Sequence, residues 1–219
     1  MTRRSYDQYC GLAGALDLVG ERWTLLVVRE LMTGPKRYSD LAEALTGIGT
    51  SLLAARLKQL EADGVIDRKV LPPPIASTVY ELTTAGEELA RALMPLAVWG
   101  VRHAVPEQPG DTMRVKAEWA LLAFTHLVDP ARLAGLQADI EFQVEGTRAY
   151  LRLDDGHARI LPGTQVLEPA AVIRTDAATL AAIGSGRLTP QDSIAQGRIR
   201  IDGDIAALTP LFEALAGLA

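Results

Sequence analysis

The sequence predicts two domains: a mainly α domain in which several helices are followed by one β-hairpin, then an α+β domain with helices on one face of a mostly antiparallel sheet. Three observations carry this reading. Apolar residues recur at helical spacing through most of residues 1–104, then alternate with strand spacing through much of 138–175. Between the patterns the run VPEQPGD contributes two prolines and a glycine, and residues 105–112 read as a linker. Charge divides at the same point. Residues 1–104 carry 12 basic and 12 acidic side chains and residues 105–219 carry 10 and 15. The net charge of −5 therefore lies wholly in the second half, as expected of two domains with different partners. With 219 residues, each domain is long enough to bury its own core.

In the first half, ALDLVGERWTLLVVRELMTG repeats Leu16, Val19, Trp23, Leu26, Val27 and Leu31 near helical spacing. Gly20 divides a short helix from a longer one, and Gly34-Pro35 ends the second. Ser39 is the expected N-cap of a short helix running through Asp40, Leu41 and Leu45. GIGTSLLAARLKQLEADG then sets Leu53, Leu57 and Leu60 on one face and stops at Gly64. Two helices joined by a tight glycine-bearing turn have the helix-turn-helix geometry, whose second helix fits a DNA major groove. VIDRKVL and STVYELT are β-branched and alternating, and they flank Pro72-Pro73-Pro74, so they form a hairpin with a stiff tip, a wing. A last helix is expected from Thr84 to about His103, with a stripe of Leu89, Leu93, Leu96 and Trp99/Gly100; Pro95 should kink or break it.

In the second half, RVKAEWALLAFTHLV reads as an amphipathic or nearly buried helix. ADIEFQVEG, TRAYLRLDDGHARIL and AAVIRTD alternate as strands, with Asp155-Gly156 as a hairpin turn. DAATLAAIGSG and TPQDSIAQG follow as short helices, RIRIDGD as a strand and IAALTPLFEALAG as a closing helix, which together make an α+β layer.

Composition excludes several classes. A single cysteine forms no internal disulfide, and with three scattered histidines it makes no structural zinc site, so no metal and no cofactor is expected. A reducing cytoplasm is the expected compartment. MTRRSYDQYCG has no apolar stretch of the kind a signal peptide carries, and LLVV and LMPLAVWGV fall short of the roughly 18 to 20 residues of a membrane span. Asp154, Asp155 and His157 gather two carboxylates and an imidazole, but adjacent positions on a hairpin tip point apart and read as a solvated loop. Gly184-Ser185-Gly186 lies between helices rather than after a strand, which is the wrong context for cradling phosphate. No serine, cysteine or histidine sits in a catalytic motif, so no enzyme activity is expected.

YCGLAGALDLVGERWTLLVVREL, GPKRYSDLAEAL, ARLKQLEADGVIDR, VYELTTAGEEL and AVWG, in this order, resemble the HxlR-type winged-helix transcription regulators over about residues 9–100. The resemblance implies a homodimer whose first and last helices pair between subunits, with two recognition helices reading successive major grooves of a partly palindromic double-stranded operator. Where that family has a small N-cap, a proline, a basic residue and later polar residues, this chain has Gly49, Thr50, Ser51, Ala54 and Ala55, and Arg56 keeps a long donor. Thr50 and Ser51 hydroxyls suit phosphates or base edges, and Ala54 and Ala55 suit a thymine methyl. Ser77 stands on the wing where the family often has a basic residue. Lys36, Arg37, Tyr38, Ser39, Arg68 and Lys69 are then phosphate positioners. Cys10 occupies a position where some family members carry a cysteine that senses oxidants or electrophiles; the plainer expectation is a small buried residue.

GSGRLTPQDSIAQGRIRIDGD leading into the terminal helix resembles a sterol-carrier-protein-like domain over about residues 113–217. That resemblance implies a curved sheet and helices around an apolar tunnel, with Trp119, Leu122, Phe142, Val144, Ile160, Ile183 and Phe212 as candidate lining for a hydrophobic small molecule. The expected organisation is DNA binding and dimerisation in 1–104 and ligand binding in 113–219, in a regulator controlled by an apolar effector. The alternative is a lipid-binding or carrier protein that uses the winged helix only to dimerise.

Overall fold

A computed structural model describes residues 5–72, 76–110, 112–164, 167–203, 208 and 211. The chain forms two units, Met1–Leu93 and Met94–Ala219. In the first, the elements are α1 (Gly11–Val19), α2 (Thr24–Leu31), β1 (Lys36–Arg37), α3 (Tyr38–Ala44), α4 (Thr50–Ala62), β2 (Ile66–Val70) and β3 (Thr78–Leu82), followed by the start of α5 (Thr84–His103). Val27, Val28, Leu31, Leu41, Leu45, Leu53, Leu57, Leu60 and Ile66 form its core, each almost free of solvent. The periodic leucines of α4 all point inward, as their spacing requires.

Local chemistry sets the helix ends. α4 closes in a Schellman motif: Gly64 takes a φ of +70°, Val65 N–H donates to the Leu60 carbonyl at 2.9 Å and Gly64 N–H to that of Glu61 at 3.1 Å. α1 and α2 have nine and eight residues, so the expected contrast of a short and a longer helix does not hold. The chain turns sharply at Trp23, whose φ of +79° ends helical propagation between them. Ser39 is not the cap of α3. The cap lies two residues earlier, at Arg37, whose N–H donates to Asp40 Oδ2 at 2.9 Å. Arg37 is available for this because Lys36 and Arg37 are held extended against β3, in a strand too short for alternation to reveal.

The wing forms as expected. β2 and β3 pair antiparallel from Ile66↔Leu82 to Val70↔Thr78, and β1 adds to the far side of β3 to give the order β1-β3-β2. Pro73 and Pro74 of the tip lie outside the described residues. α5 opens on Thr83, whose hydroxyl accepts from the Gly86 N–H at 3.1 Å. It runs unbroken through Pro95, so the expected break does not occur. The proline removes one backbone hydrogen bond, and the turns on both sides remain helical. Leu89 and Leu93 of its stripe pack on the core, whereas Leu96 and Trp99 stay more than half exposed.

The second unit contains the end of α5, then α6 (Ala117–Leu127), a 3-10 turn at Pro130–Leu133, β4 (Gln137–Val144), β5 (Thr147–Asp154), β6 (His157–Pro162), β7 (Ala171–Thr175), α7 (Ala177–Gly184), α8 (Pro190–Ala195) and β8 (Arg200–Gly203). The sheet order is β6-β5-β4-β7-β8, antiparallel except for the parallel pair β4 and β7. Glu145-Gly146 and Asp155-Gly156 both have positive φ at both positions and make the two tight hairpin turns. One face of the sheet carries Ile140, Phe142, Val144, Leu151, Leu153, Ile160 and Ile173, all buried, and α6 packs against its β4, β5 and β6 strands. Of the expected closing helix, only Leu208 and Leu211 are described, and both are buried.

Candidate nucleic-acid interface and ligand domain

α3 and α4 are pinned to each other at their N-terminal ends: the Tyr38 hydroxyl donates to the Thr50 carbonyl at 2.8 Å. Tyr38 is half-buried and packs on the core, so its hydroxyl sets the angle between the two helices. With Leu53, Leu57 and Leu60 buried, the opposite face of α4 presents Ser51, Ala55, Lys58 and Ala62, all exposed and spaced i, i+4, i+7 and i+11. Thr50 and Ala54 flank this ridge and are exposed as well. Lys58 is the residue that sequence reasoning missed. Its position seven residues after Ser51 was the available signal.

Arg56 sits elsewhere. Its Nη2 donates to Glu21 Oε2 at 2.9 Å and its Nε to the Arg22 carbonyl at 3.3 Å, and its side chain is only 18% exposed. The long donor expected on the reading face is instead tied to the elbow between α1 and α2. The Trp23 ring of the same elbow lies against Gly47 in the turn before α4.

The wing register collects the remaining cations. Lys36, Tyr80 and Arg68 form one row across the three strands, and Arg37, Val79 and Lys69 form the next. Arg37, Ser39, Arg68 and Lys69 are exposed and Lys36 is half-buried. Lys69 is ion-paired with Glu81, which raises its pKa above the ordinary lysine value. Ser77 is turned away: its Oγ is buried with no hydrogen-bond partner among the described residues, and its carbonyl accepts from Leu71.

Cys10 is exposed at the N-cap of α1, against the expectation of a buried residue. Backbone N–H groups of Ala13 and Leu12 favour the thiolate and lower its pKa.

In the second unit, Leu122 of α6 and Phe142, Val144 and Ile160 of the sheet are buried, while Trp119 and Ile183 are half-buried. Lys116 Nζ lies 5.5 Å from the centre of the Trp119 ring. Phe212 lies outside the described residues. The opposite face of the sheet is polar, yet Glu141 and Tyr150 are 7% and 2% exposed there. They face each other across β4 and β5; Tyr150 donates to Glu141, which also accepts from Gln143 Nε2 at 2.7 Å. Burial and the Glu141 carboxylate raise the Tyr150 pKa. Strand alternation places this pair on the polar side and gives no sign of its burial. Among the described residues, no cluster of His, Cys, Asp or Glu is placed to hold a metal, and no helix is long and apolar enough to cross a membrane.

Comparison with known proteins agrees with both halves. The HxlR-like helix-turn-helix family matches residues 18–108, and the SCP-2 sterol transfer family matches residues 120–216. The HTH-type transcriptional regulator YodB of Bacillus subtilis is 34% identical over 102 residues, which are 47% of this chain and 88% of YodB. The uncharacterised HTH-type regulator YtcD of the same organism is 33% identical over 124 residues, 55% of this chain and 94% of YtcD. Among solved structures, the reduced form of YodB from B. subtilis is similar at 33% identity with a TM-score of 0.40, covering 48% of this chain and all of that one. The helix-turn-helix with its three-stranded wing, and the mixed five-stranded sheet after it, thus belong to a DNA-binding transcription regulator of the HxlR-like helix-turn-helix family that carries a C-terminal SCP-2 domain.

Proposed function

We propose that the chain acts in the cytoplasm as a homodimer, in which residues 1–104 bind an operator and pair with a second copy, residues 105–112 connect, and residues 113–219 take an apolar small molecule that alters DNA affinity. The observation that carries this reading is the outward ridge of Ser51, Ala55 and Lys58 on α4, in the same unit as the two cation rows of the wing. Thr50, Ser51, Ala54 and Ala55 meet the major groove, while Lys36, Arg37, Ser39, Lys58, Arg68 and Lys69 meet phosphates. Tyr38 and Arg56 hold α4 in place. Pairing is supported by apolar side chains left in solvent on the terminal helices, Leu12 and Leu16 on α1 and Leu96 and Trp99 on α5.

Control by an effector requires different affinities for two dimer geometries, one of which spaces the recognition helices for half-sites about 34 Å apart. Trp119, Leu122, Phe142, Val144, Ile160 and Ile183 supply the apolar layer on which such a molecule would rest, and Cys10 supplies a second, redox input. No catalytic step is assigned to either unit. The test is recovery of genomic fragments by the full-length chain over a salt series, with and without an added apolar ligand. One upstream region is expected, lost as salt rises. Recovery of none at any salt would favour a carrier that uses the winged helix only to dimerise, and unchanged affinity at saturating ligand would remove effector control.

A further inference from the structure

Three residues near the Asp155-Gly156 hairpin, Asp154, Asp155 and His157, look like a solvated turn in sequence. The strand register separates them. Asp154 and His157 are directly opposed across β5 and β6, while the Asp155 carboxylate turns back to accept from the Gly135 N–H at 2.9 Å. Two residues further along the strands, Arg152 opposes Arg159, and Asp139 of β4 completes the row. All five side chains lie on the face opposite Ile140, Leu151 and Ile160. Arg152, Asp154, His157 and Arg159 line a cavity of about 380 Å³, within the size range of small-metabolite sites.

Of the two guanidinium groups here, one is paired with a carboxylate and the other is not. Two guanidinium groups directly opposed on neighbouring strands repel each other. Asp139 neutralises the first in a bidentate pair, with Arg152 Nε and Nη2 donating at 2.7 and 2.8 Å, which leaves Arg152 Nη1 for another acceptor. Among the described residues, Arg159 has no partner. His157 Nδ1 donates to the Asp155 carbonyl at 3.3 Å, so its Nε2 accepts in the neutral ring and donates once the ring is protonated. Two guanidinium groups and one imidazole thus line the cavity with a single carboxylate, Asp154.

We propose that Arg152, His157 and Arg159 form a binding site for a small oxyanion, a phosphate monoester or carboxylate, with Asp154 selecting ligands that carry a hydroxyl or ammonium next to the anion. Guanidinium groups suit this role because their planar donors match such oxyanions in pairs. The site lies on the polar face of the sheet, away from the apolar layer under α6, and is independent of DNA binding.

The experiment is calorimetric titration of the full-length chain with glycerol 3-phosphate, with glycerol as the neutral control, and in parallel with vesicles containing phosphatidic acid, whose headgroup is a phosphate monoester. Saturable binding of glycerol 3-phosphate, weakened at least about tenfold by Arg159→Gln and by His157→Gln, supports a soluble ligand. Binding of vesicles alone with the same loss supports the same oxyanion chemistry on a lipid headgroup. Arg200→Gln, an exposed arginine on β8 of the same sheet, should leave affinity unchanged. Both primary substitutions fall on exposed side chains of the edge strand β6, and unchanged thermal melting checks that they fold. No saturable binding of either probe, equal binding by Arg159→Gln, or an equal loss in Arg200→Gln overturns the proposal.

Discussion

Arg56 of α4 reaches across to Glu21, Nη2 to Oε2 at 2.9 Å, and so joins that helix to the elbow between α1 and α2. Glu21 is 66% exposed, so the pair alone is worth no more than about 1 kcal/mol. Arg56→Ala and Glu21→Ala should each lower thermal stability slightly, with a double-mutant coupling of about 0.5 kcal/mol. If Arg56 positions α4, the two variants lose operator affinity in parallel. A large loss confined to Arg56→Ala would make it a direct DNA contact instead.

Lys58 occupies the outward ridge of α4 and contributes nothing to the core. Lys58→Ala should leave the melting temperature within about a degree of the parent, since exposed positions away from special features are nearly neutral. In fluorescence anisotropy with DNA, the slope of log affinity against log salt should fall in magnitude by about 1, the signature of one lost phosphate contact. An unchanged slope would place Lys58 off the DNA.

Cys10 is exposed and its thiolate is stabilised by backbone N–H groups at the start of α1. A lowered pKa means a larger thiolate fraction at neutral pH than an ordinary cysteine has. Iodoacetamide should therefore modify the native protein faster at pH 7 than it modifies free cysteine, with a pH midpoint below the usual thiol range. Slow, incomplete alkylation would end the case for a redox input.

Tyr150 titrates late because it is buried and donates to Glu141. The folded state holds this proton more tightly than the unfolded state, where tyrosine ionises near pH 10. Its contribution is thus complete below about pH 10 and is lost as pH rises through the higher folded value. Tyr150→Phe should cost about 1 to 3 kcal/mol in a neutral urea melt, because a buried carboxylate loses a donor. The same variant should show a shallower loss of stability between neutral and strongly alkaline pH than the parent.

Periodicity made the long elements legible. Leu53, Leu57 and Leu60 identify α4, alternation identifies β2 to β7, and Gly64 and Gly156 mark ends and turns that only glycine occupies at low cost. What escaped the sequence depends on partners distant along the chain. β1 has two residues, too few for any period, and exists because Lys36 and Arg37 pair with Tyr80 and Val79. Arg56 has the same side chain whether it faces DNA or Glu21, and only the position of the elbow decides between them. The exposure of Leu96 and Trp99 is equally invisible in a stripe that begins, at Leu89 and Leu93, as ordinary core.

The two-residue strand β1 also constrains how this architecture can diversify. Residues at the hairpin tip can be inserted or removed with little effect on the pairing of β2 and β3 near their base, so wing length is free to vary. The interval from Gly34, at a φ of +108°, to the first turn of α3 is not free. One added residue there would shift β1 against β3 by a single position and turn Lys36 and Arg37 to opposite faces. Changes in operator preference should therefore arise by substitution in this interval and by length change at the wing tip.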